Sequence, residues 1–241
     1  MTALTPQALI GFIDLTDLSD QCSESTITTL CATAISSPVQ PASLCLWPQF
    51  VSLAQRTLGQ SLPVATVINF PHGGDDIEFV LMDLDEAISD GADEIDLVFP
   101  WRAFLAGDTA LAFDMIAAAK ERCGSRLLKI ILETGALPHA EAIRAASLCA
   151  LDAGADFLKT STGKIEVGAT EAAAQIMLET IRDHGNTAGF KASGGLRTFA
   201  QAERYYTLFE TICGMPATKE RFRIGASALF ETLIKETGRP S

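Results

Sequence analysis

A three-residue phrase, Gly-Ala-Asp, opens two corresponding stretches of this chain. Gly91-Ala92-Asp93-Glu94-Ile95-Asp96 and Gly154-Ala155-Asp156-Phe157-Leu158-Lys159 start on the same Gly-Ala-Asp, and the second copy lies 63 positions after the first. In both, a glycine closes the preceding segment and a strand-like run begins three residues later, the grammar of a helix end feeding a strand. A strand–helix unit takes about 30 residues, so the spacing corresponds to two such units. The same beat carries charge. Lys129 follows Asp96 by 33 positions, Lys159 follows Lys129 by 30, and Lys191 follows Lys159 by 32. Four successive strands thus carry a charged residue at a comparable place, which argues for a shared polar interior.

The rest of the chain keeps this rhythm. Strands are expected at 12–16, 43–47, 64–70, 94–99, 126–132, 157–160, 189–192 and 222–225. The segment VATVINF has the continuous apolar character of a strand buried on both faces. Helices are expected at 25–36, 50–58, 75–90, 108–122, 138–153, 170–184, 198–212 and 226–236, after a short helical stretch near 5–11. Asp75, three residues before Glu78, has the spacing of a capping box. Eight βα units with no linker or composition break predict a single α/β domain over residues 1–241, a closed (β/α)8 barrel with a short N-terminal helix. An open doubly wound sheet is the structural alternative, but no GxGxxG follows the first strand.

Composition narrows the partners. Hydrophobic residues make up 48% and charged residues 20% of the 241, an ordinary globular balance, and the net charge of −12 disfavours a nucleic-acid partner. Any phosphate must therefore be held by a local basic pocket. The six scattered cysteines form no CxxC pair, no basic leader with a long apolar core opens the chain, and no run is long enough to span a membrane. Free thiols in the cytoplasm, with no membrane association, are the expectation. His72, His139 and His184 show no ligand spacing, so no metal and no cofactor are expected.

The stretch GADFLKTSTGK concentrates the chemistry. Burial disfavours an ammonium, so a lysine at the end of a buried strand becomes a neutral nucleophile near neutral pH. Lysines converging at strand ends depress one another further, and Asp96 there can shuttle protons. Such a set suits Schiff-base chemistry, in which an iminium serves as electron sink for a carbon–carbon bond. The bland alternatives are a lysine that snorkels to the rim and an ion-pair network that satisfies only itself. Phosphate binding has its own signal. Gly163-Lys164 follows strand six, Gly194-Gly195-Leu196-Arg197 follows strand seven, and Gly225-Ala226-Ser227 lies where strand eight meets its helix. Loops after strands seven and eight form the usual barrel phosphate site.

Taken together, DLT at Asp14, NFPHG at Asn69, GADEIDLVFP, LLKIILETG, GADFLKTSTGK, GFKASGGLRT and RIGAS resemble the deoxyribose-phosphate aldolases, a class I family, in family order along nearly the whole chain. The resemblance implies a (β/α)8 barrel that cleaves 2-deoxy-D-ribose 5-phosphate reversibly to acetaldehyde and D-glyceraldehyde 3-phosphate. It implies Lys159 as the Schiff-base lysine, Lys191 as its tuning partner, and Asp96 working with Lys191 in proton transfer. It also places Asp14, Thr16 and Thr162 along the substrate pocket, and Gly163, Lys164, Gly194, Gly195, Gly225 and Ser227 in a phosphate cradle. The partners implied are small phosphosugar and aldehyde substrates, with self-association into a dimer or tetramer as an open expectation. The chain departs from the family pattern at Ala192-Ser193, at Ala228, and at Arg239-Pro240-Ser241, where some members carry a terminal tyrosine. A transaldolase-like barrel and an inactive sugar-phosphate binder are the competing readings. Strand two brings Cys45 toward the barrel mouth, where nearby lysines would lower its pKa and make it vulnerable to unsaturated aldehydes; an inert buried thiol is the alternative.

Overall fold

The computed structural model describes residues 4–237. The sequence departure at Arg239-Pro240-Ser241 lies outside the described residues. Eight strands close a parallel barrel in chain order, β8 pairing back onto β1. They are β1 (Ile13–Asp17), β2 (Ser43–Leu46), β3 (Val64–Ile68), β4 (Glu94–Val98), β5 (Leu127–Ile131), β6 (Phe157–Lys159), β7 (Gly189–Ser193) and β8 (Phe222–Ala226). Among the described residues ten α-helices accompany them: α1 (Pro6–Ile10), α2 (Glu24–Ser36), α3 (Val51–Leu58), α4 (Ile77–Ser89), α5 (Trp101–Leu105), α6 (Thr109–Cys123), α7 (Ala140–Asp152), α8 (Glu171–Asp183), α9 (Phe199–Cys213) and α10 (Ala228–Thr237). The barrel expected from the alternating units is therefore the architecture. Among the described residues no helix is long and apolar enough to cross a membrane.

The repeated phrase is a structural staple. Gly91 and Gly154 have φ of 98° and 95°, a region open to glycine, and each ends a helix. The aspartate two residues on then reaches across to the neighbouring strand. Asp93 accepts the Val64 N–H at 2.9 Å, and Asp156 accepts the Leu128 N–H at 2.8 Å. The echo thus marks two places where strand entry is fixed in the same way.

Alternation along the strands separates two environments. Leu15, Leu44, Ile95, Leu97, Ile130, Leu158, Phe190 and Ile224 face the helices and join one apolar core. The other face of β1 and β4–β8 turns Asp14, Glu94, Asp96, Lys129, Lys159, Lys191 and Arg223 inward, all buried. On β2 and β3 the inward residues are small and mostly apolar, including Cys45, Ala65 and Val67. The interior is therefore lopsided, with charge on an arc of six strands. At its lower end the Phe157 ring fills the place that a side chain at position 189 would take, which is why Gly189 stands there.

The structure refines several expectations. β3 stops at Ile68, short of position 70, because Asn69 turns left-handed at φ 54° and uses its side chain to hold Val98 O and Gly74. Helix α4 is capped by Asp76, which accepts the Phe79 N–H at 3.0 Å, rather than by Asp75. A short helix, α5, occupies the stretch between β4 and α6, where no element was expected. The four charges in step do not share one level. Asp96 pairs in register with Lys129, and Lys159 with Lys191, but Lys129 stands opposite Phe157 while Lys159 stands opposite Ile131. The shear of the barrel raises Lys159 by two residues above Lys129, toward the C-terminal mouth.

Candidate active site

The charged arc forms one connected network. Asp96 Oδ2 contacts Lys159 Nζ at 2.7 Å and Lys191 Nζ at 2.8 Å, while its Oδ1 accepts from Lys129 at 2.9 Å. Asp14 holds Lys191 at 2.5 Å and Arg223 at 2.6 Å. Glu94 holds Lys129 at 2.6 Å and Arg223 at 3.2 Å. Burying this many ions is costly unless each is paired, because desolvation competes with attraction.

The pairing is unequal. Lys129 lies within 4 Å of the carboxylates of Asp14, Glu94 and Asp96; Lys191 and Arg223 have two each; Lys159 has Asp96 alone. Four cations face three carboxylates, so the set carries one positive charge in excess. The cation with the fewest partners is the one that most readily gives up its proton. Burial lowers the Lys159 pKa and the Lys191 charge lowers it further, against the pull of Asp96. Burial acts on Lys129 and Lys191 too, but their carboxylates outweigh it and raise both pKa values. Asp96 is pulled up by burial, yet Lys129, Lys159 and Lys191 together hold it well below the usual carboxylate range. With Lys159 neutral, three carboxylates would face three cations and the interior would balance.

Above this floor opens a cavity of about 390 Å³ at the C-terminal end of the barrel. Of the three buried lysines, Lys159 alone lines it. Thr16, Thr162, Gly163, Lys164, Gly194, Gly195, Arg197, Gly225 and Ser227 line it as well, so the structure gathers the expected phosphate-cradle residues around one space. Gly194 and Gly195 have φ of 92° and 88°, which turns the backbone after β7 toward the cavity. Ser227 stands immediately before α10, whose N-terminal dipole favours an anion. Gly225 has another function: a methyl there would press on Ser193 and on Lys191 Cε. Lys164 reaches back across the mouth, 3.3 Å from Asp20 and over the Trp47 ring.

Asp14 and Cys45, both named from the sequence, lie outside the cavity wall. Asp14, expected along the pocket, is fully buried beneath it, and its oxygens are taken up by Lys191 and Arg223. Its carboxyl stays well below the ordinary range because those cations and Lys129 outweigh burial. Cys45 faces the lysines' carboxylate, 3.8 Å from Asp96 Oδ2, and its pKa is raised, by burial first and Asp96 second, which favours the inert thiol of the two readings. Residue reasoning also missed Arg223, Glu94 and Glu133. Arg223 continues the beat, 32 positions after Lys191, and Glu94 stands two residues before Asp96 in the repeated phrase. Among the described residues no group of three or more His, Cys, Asp or Glu side chains is placed to hold a metal ion.

The model of the DeoC/LacD family aldolases matches residues 8–205. The chain belongs to this family of aldolases. Solved structures agree with the placement. A candidate deoxyribose-phosphate aldolase from Toxoplasma gondii ME49 superposes with a TM-score of 0.87 at 25% identity, over 97% of this chain and 95% of its own. One from Coccidioides immitis gives 0.85 at 29%, over 98% and 88%. The deoxyribose phosphate aldolase of Aeropyrum pernix, a tetramer, has the same fold with a TM-score of 0.78 at 24% identity, over 97% and 93%. Family membership makes the chain a lyase acting on small molecules.

Proposed function

We propose that this aldolase cleaves 2-deoxy-D-ribose 5-phosphate reversibly to acetaldehyde and D-glyceraldehyde 3-phosphate, with Lys159 as the Schiff-base amine. One observation carries the reading: Lys159 is the buried lysine that both reaches the cavity and has its ammonium disfavoured. Its neutral nitrogen attacks the aldehyde carbon of the open-chain sugar, the carbonyl oxygen gains two protons and leaves as water, and an iminium remains. The C3 hydroxyl then loses its proton, the C2–C3 electrons move toward nitrogen, and glyceraldehyde 3-phosphate departs. Protonation of the enamine carbon and hydrolysis release acetaldehyde and restore the amine.

Asp96 and Lys191 support these steps differently. Asp96 stays ionised, so it stabilises the iminium that replaces the Lys159 amine beside it and, through a water, relays protons with Lys191. Lys191 stays charged and keeps Lys159 neutral between turnovers. The phosphate is held by Gly163, Lys164, Gly194, Gly195, Arg197 and Ser227, with the α10 dipole behind them. In this reading Thr16 and Thr162 meet the sugar hydroxyls, and the chain works as one catalytic domain in the cytoplasm as a dimer or tetramer. Borohydride added with acetaldehyde should fix an ethyl group on Lys159, located by peptide mass. A Lys159→Met protein should show neither the adduct nor cleavage of the phosphosugar. Turnover within tenfold of the parent in that variant would move the nucleophile elsewhere and sink the assignment.

A further inference from the structure

Glu133 stands just after β5 with 1% of its surface exposed and a left-handed backbone at φ 55°. A glutamate pays for that conformation, and strained residues of this kind collect where a site is being shaped. It forms no ion pair among the described residues. Both its oxygens are instead turned on Thr162 in the loop after β6. Oε1 accepts the Thr162 N–H at 3.2 Å, and Oε2 accepts the Thr162 hydroxyl at 2.5 Å. The same hydroxyl oxygen accepts the Lys164 N–H at 3.0 Å. The two loops are locked at a second point, since Gly135 lies so close to the Val167 carbonyl that a side chain there would collide with it.

A hydroxyl has one proton and two lone pairs. At Thr162 the proton is committed to Glu133 and one lone pair to Lys164. What remains is a single lone pair on a residue that lines the cavity. We propose that Glu133 is a positioning residue that turns Thr162 into an obligate hydrogen-bond acceptor, so that the site selects a substrate carrying a hydroxyl on the carbon between the reacting carbon and the phosphate-bearing carbon. The location follows from chain order: Thr162 lies between Lys159, where the carbonyl carbon is held, and the Gly163-Lys164 part of the anion cradle. A ketone, ether or fluorine at that carbon would bring a lone pair against a lone pair. The inference rests on the aldolase reading above.

Glu133→Gln reverses the polarity. The amide oxygen can still accept the Thr162 N–H, but the amide nitrogen must donate to the hydroxyl oxygen. With Lys164 N–H on the other lone pair, the Thr162 proton is driven into the cavity. The test runs in the synthetic direction with acetaldehyde and three acceptors: D-glyceraldehyde 3-phosphate, its 2-deoxy analogue 3-oxopropyl phosphate, and the 2-fluoro analogue. The readout is kcat/KM for the fluoro acceptor divided by that for the deoxy acceptor. Fluorine's intrinsic effect on the aldehyde is the same for every variant and cancels in the comparison. Glu133→Gln should raise this ratio about tenfold over the parent, the scale of one hydrogen bond gained or denied in a closed site. In a Thr162→Val background the same change should leave the ratio unmoved. Thr162→Val alone, with Glu133 intact, should erase the parent's penalty against fluorine, which keeps the test alive if Glu133→Gln does not fold. An equal loss on all three acceptors would overturn the proposal and leave Glu133 a brace for the loop. A parent that turns over no acceptor would instead overturn it together with the aldolase reading.

Discussion

Replacing Lys191 by leucine probes how the proposed nucleophile, Lys159, would be made. Lys159 and Lys191 contact the same oxygen of Asp96 at 2.7 and 2.8 Å, so their nitrogens are at most about 5.5 Å apart. Two unit charges at that distance repel by about 3 kcal/mol at an effective dielectric of ~20. That energy is worth roughly a hundredfold in the ratio of neutral to protonated Lys159. Removing Lys191 also leaves Asp14 and Asp96 with less compensation, which draws the proton to Lys159 in the same direction. The acid limb of kcat/KM, which reports the free enzyme's essential base, should therefore move to higher pH in Lys191→Leu. At neutral pH the variant should lose most of its borohydride-trapped adduct and recover it as pH rises. Lys191→Arg keeps the charge and should keep the limb near its original position. An unchanged limb in Lys191→Leu, at normal protein stability, would refute the reasoning and leave burial alone as the cause.

Asp96→Asn should cost several kcal/mol of stability, because three buried lysines lose their shared carboxylate; breaking such a pair typically costs about 3–5 kcal/mol. Since the Asp96 pKa is depressed in the fold, its contribution is complete above the unfolded carboxylate value near ~4 and fades as pH falls through the folded one. The melting temperature of Asp96→Asn should thus lie on the order of 10 °C below the parent at neutral pH, with the gap narrowing in acid; a constant gap from neutral pH into acid would refute the linkage. Arg197→Ala removes an exposed cation from the cavity wall and should raise KM for phosphorylated acceptors about tenfold. It should leave kcat, and activity on unphosphorylated aldehydes, nearly unchanged; an equal loss on both substrate types would take Arg197 out of the anion site.

What the sequence disclosed depended on how local the cause was. The Gly-Ala-Asp phrase is legible because its glycine and aspartate act on adjacent units, ending a helix and stapling the next strand. The in-step charges correctly announced a polar interior, since inward direction follows from alternation alone. Their heights were not legible, because the shear that lifts Lys159 above Lys129 belongs to the closed barrel and not to any one strand. The burial of Asp14 was illegible for a related reason: its partners Lys191 and Arg223 lie at the far end of the chain and meet it only when β8 closes onto β1. Cys45 shows a different limit. Proximity to lysines was read properly, but the carboxylate those lysines hold lies nearer in effect than they do, and burial outweighs both. Glu133 left no periodic signal, since its role depends on two loops meeting.

The lowered pKa of Lys159, on which the proposed reactivity rests, emerges from a deficit in the whole network. Burial and the Lys191 charge disfavour protonation of Lys159, while its one carboxylate partner favours the charged form. Arg223 cannot lose its proton near neutrality, and Lys129 and Lys191 are held by three and two carboxylates. The single unmatched charge is thereby displaced onto the least-partnered cation, which the barrel shear has raised to the cavity. On the proposed mechanism, iminium formation would return that positive charge to the same place, beside Asp96 and facing the substrate's phosphate, whose negative charge would offset it. The resting network is thus short of one carboxylate, and in the proposed reaction the substrate's phosphate would bring the missing anion. On this view an unphosphorylated aldehyde suffers twice, in binding and in iminium stability, so its loss should reach kcat as well as KM. Free phosphate added to such a reaction should restore part of kcat, and a failure to do so would confine the phosphate to binding.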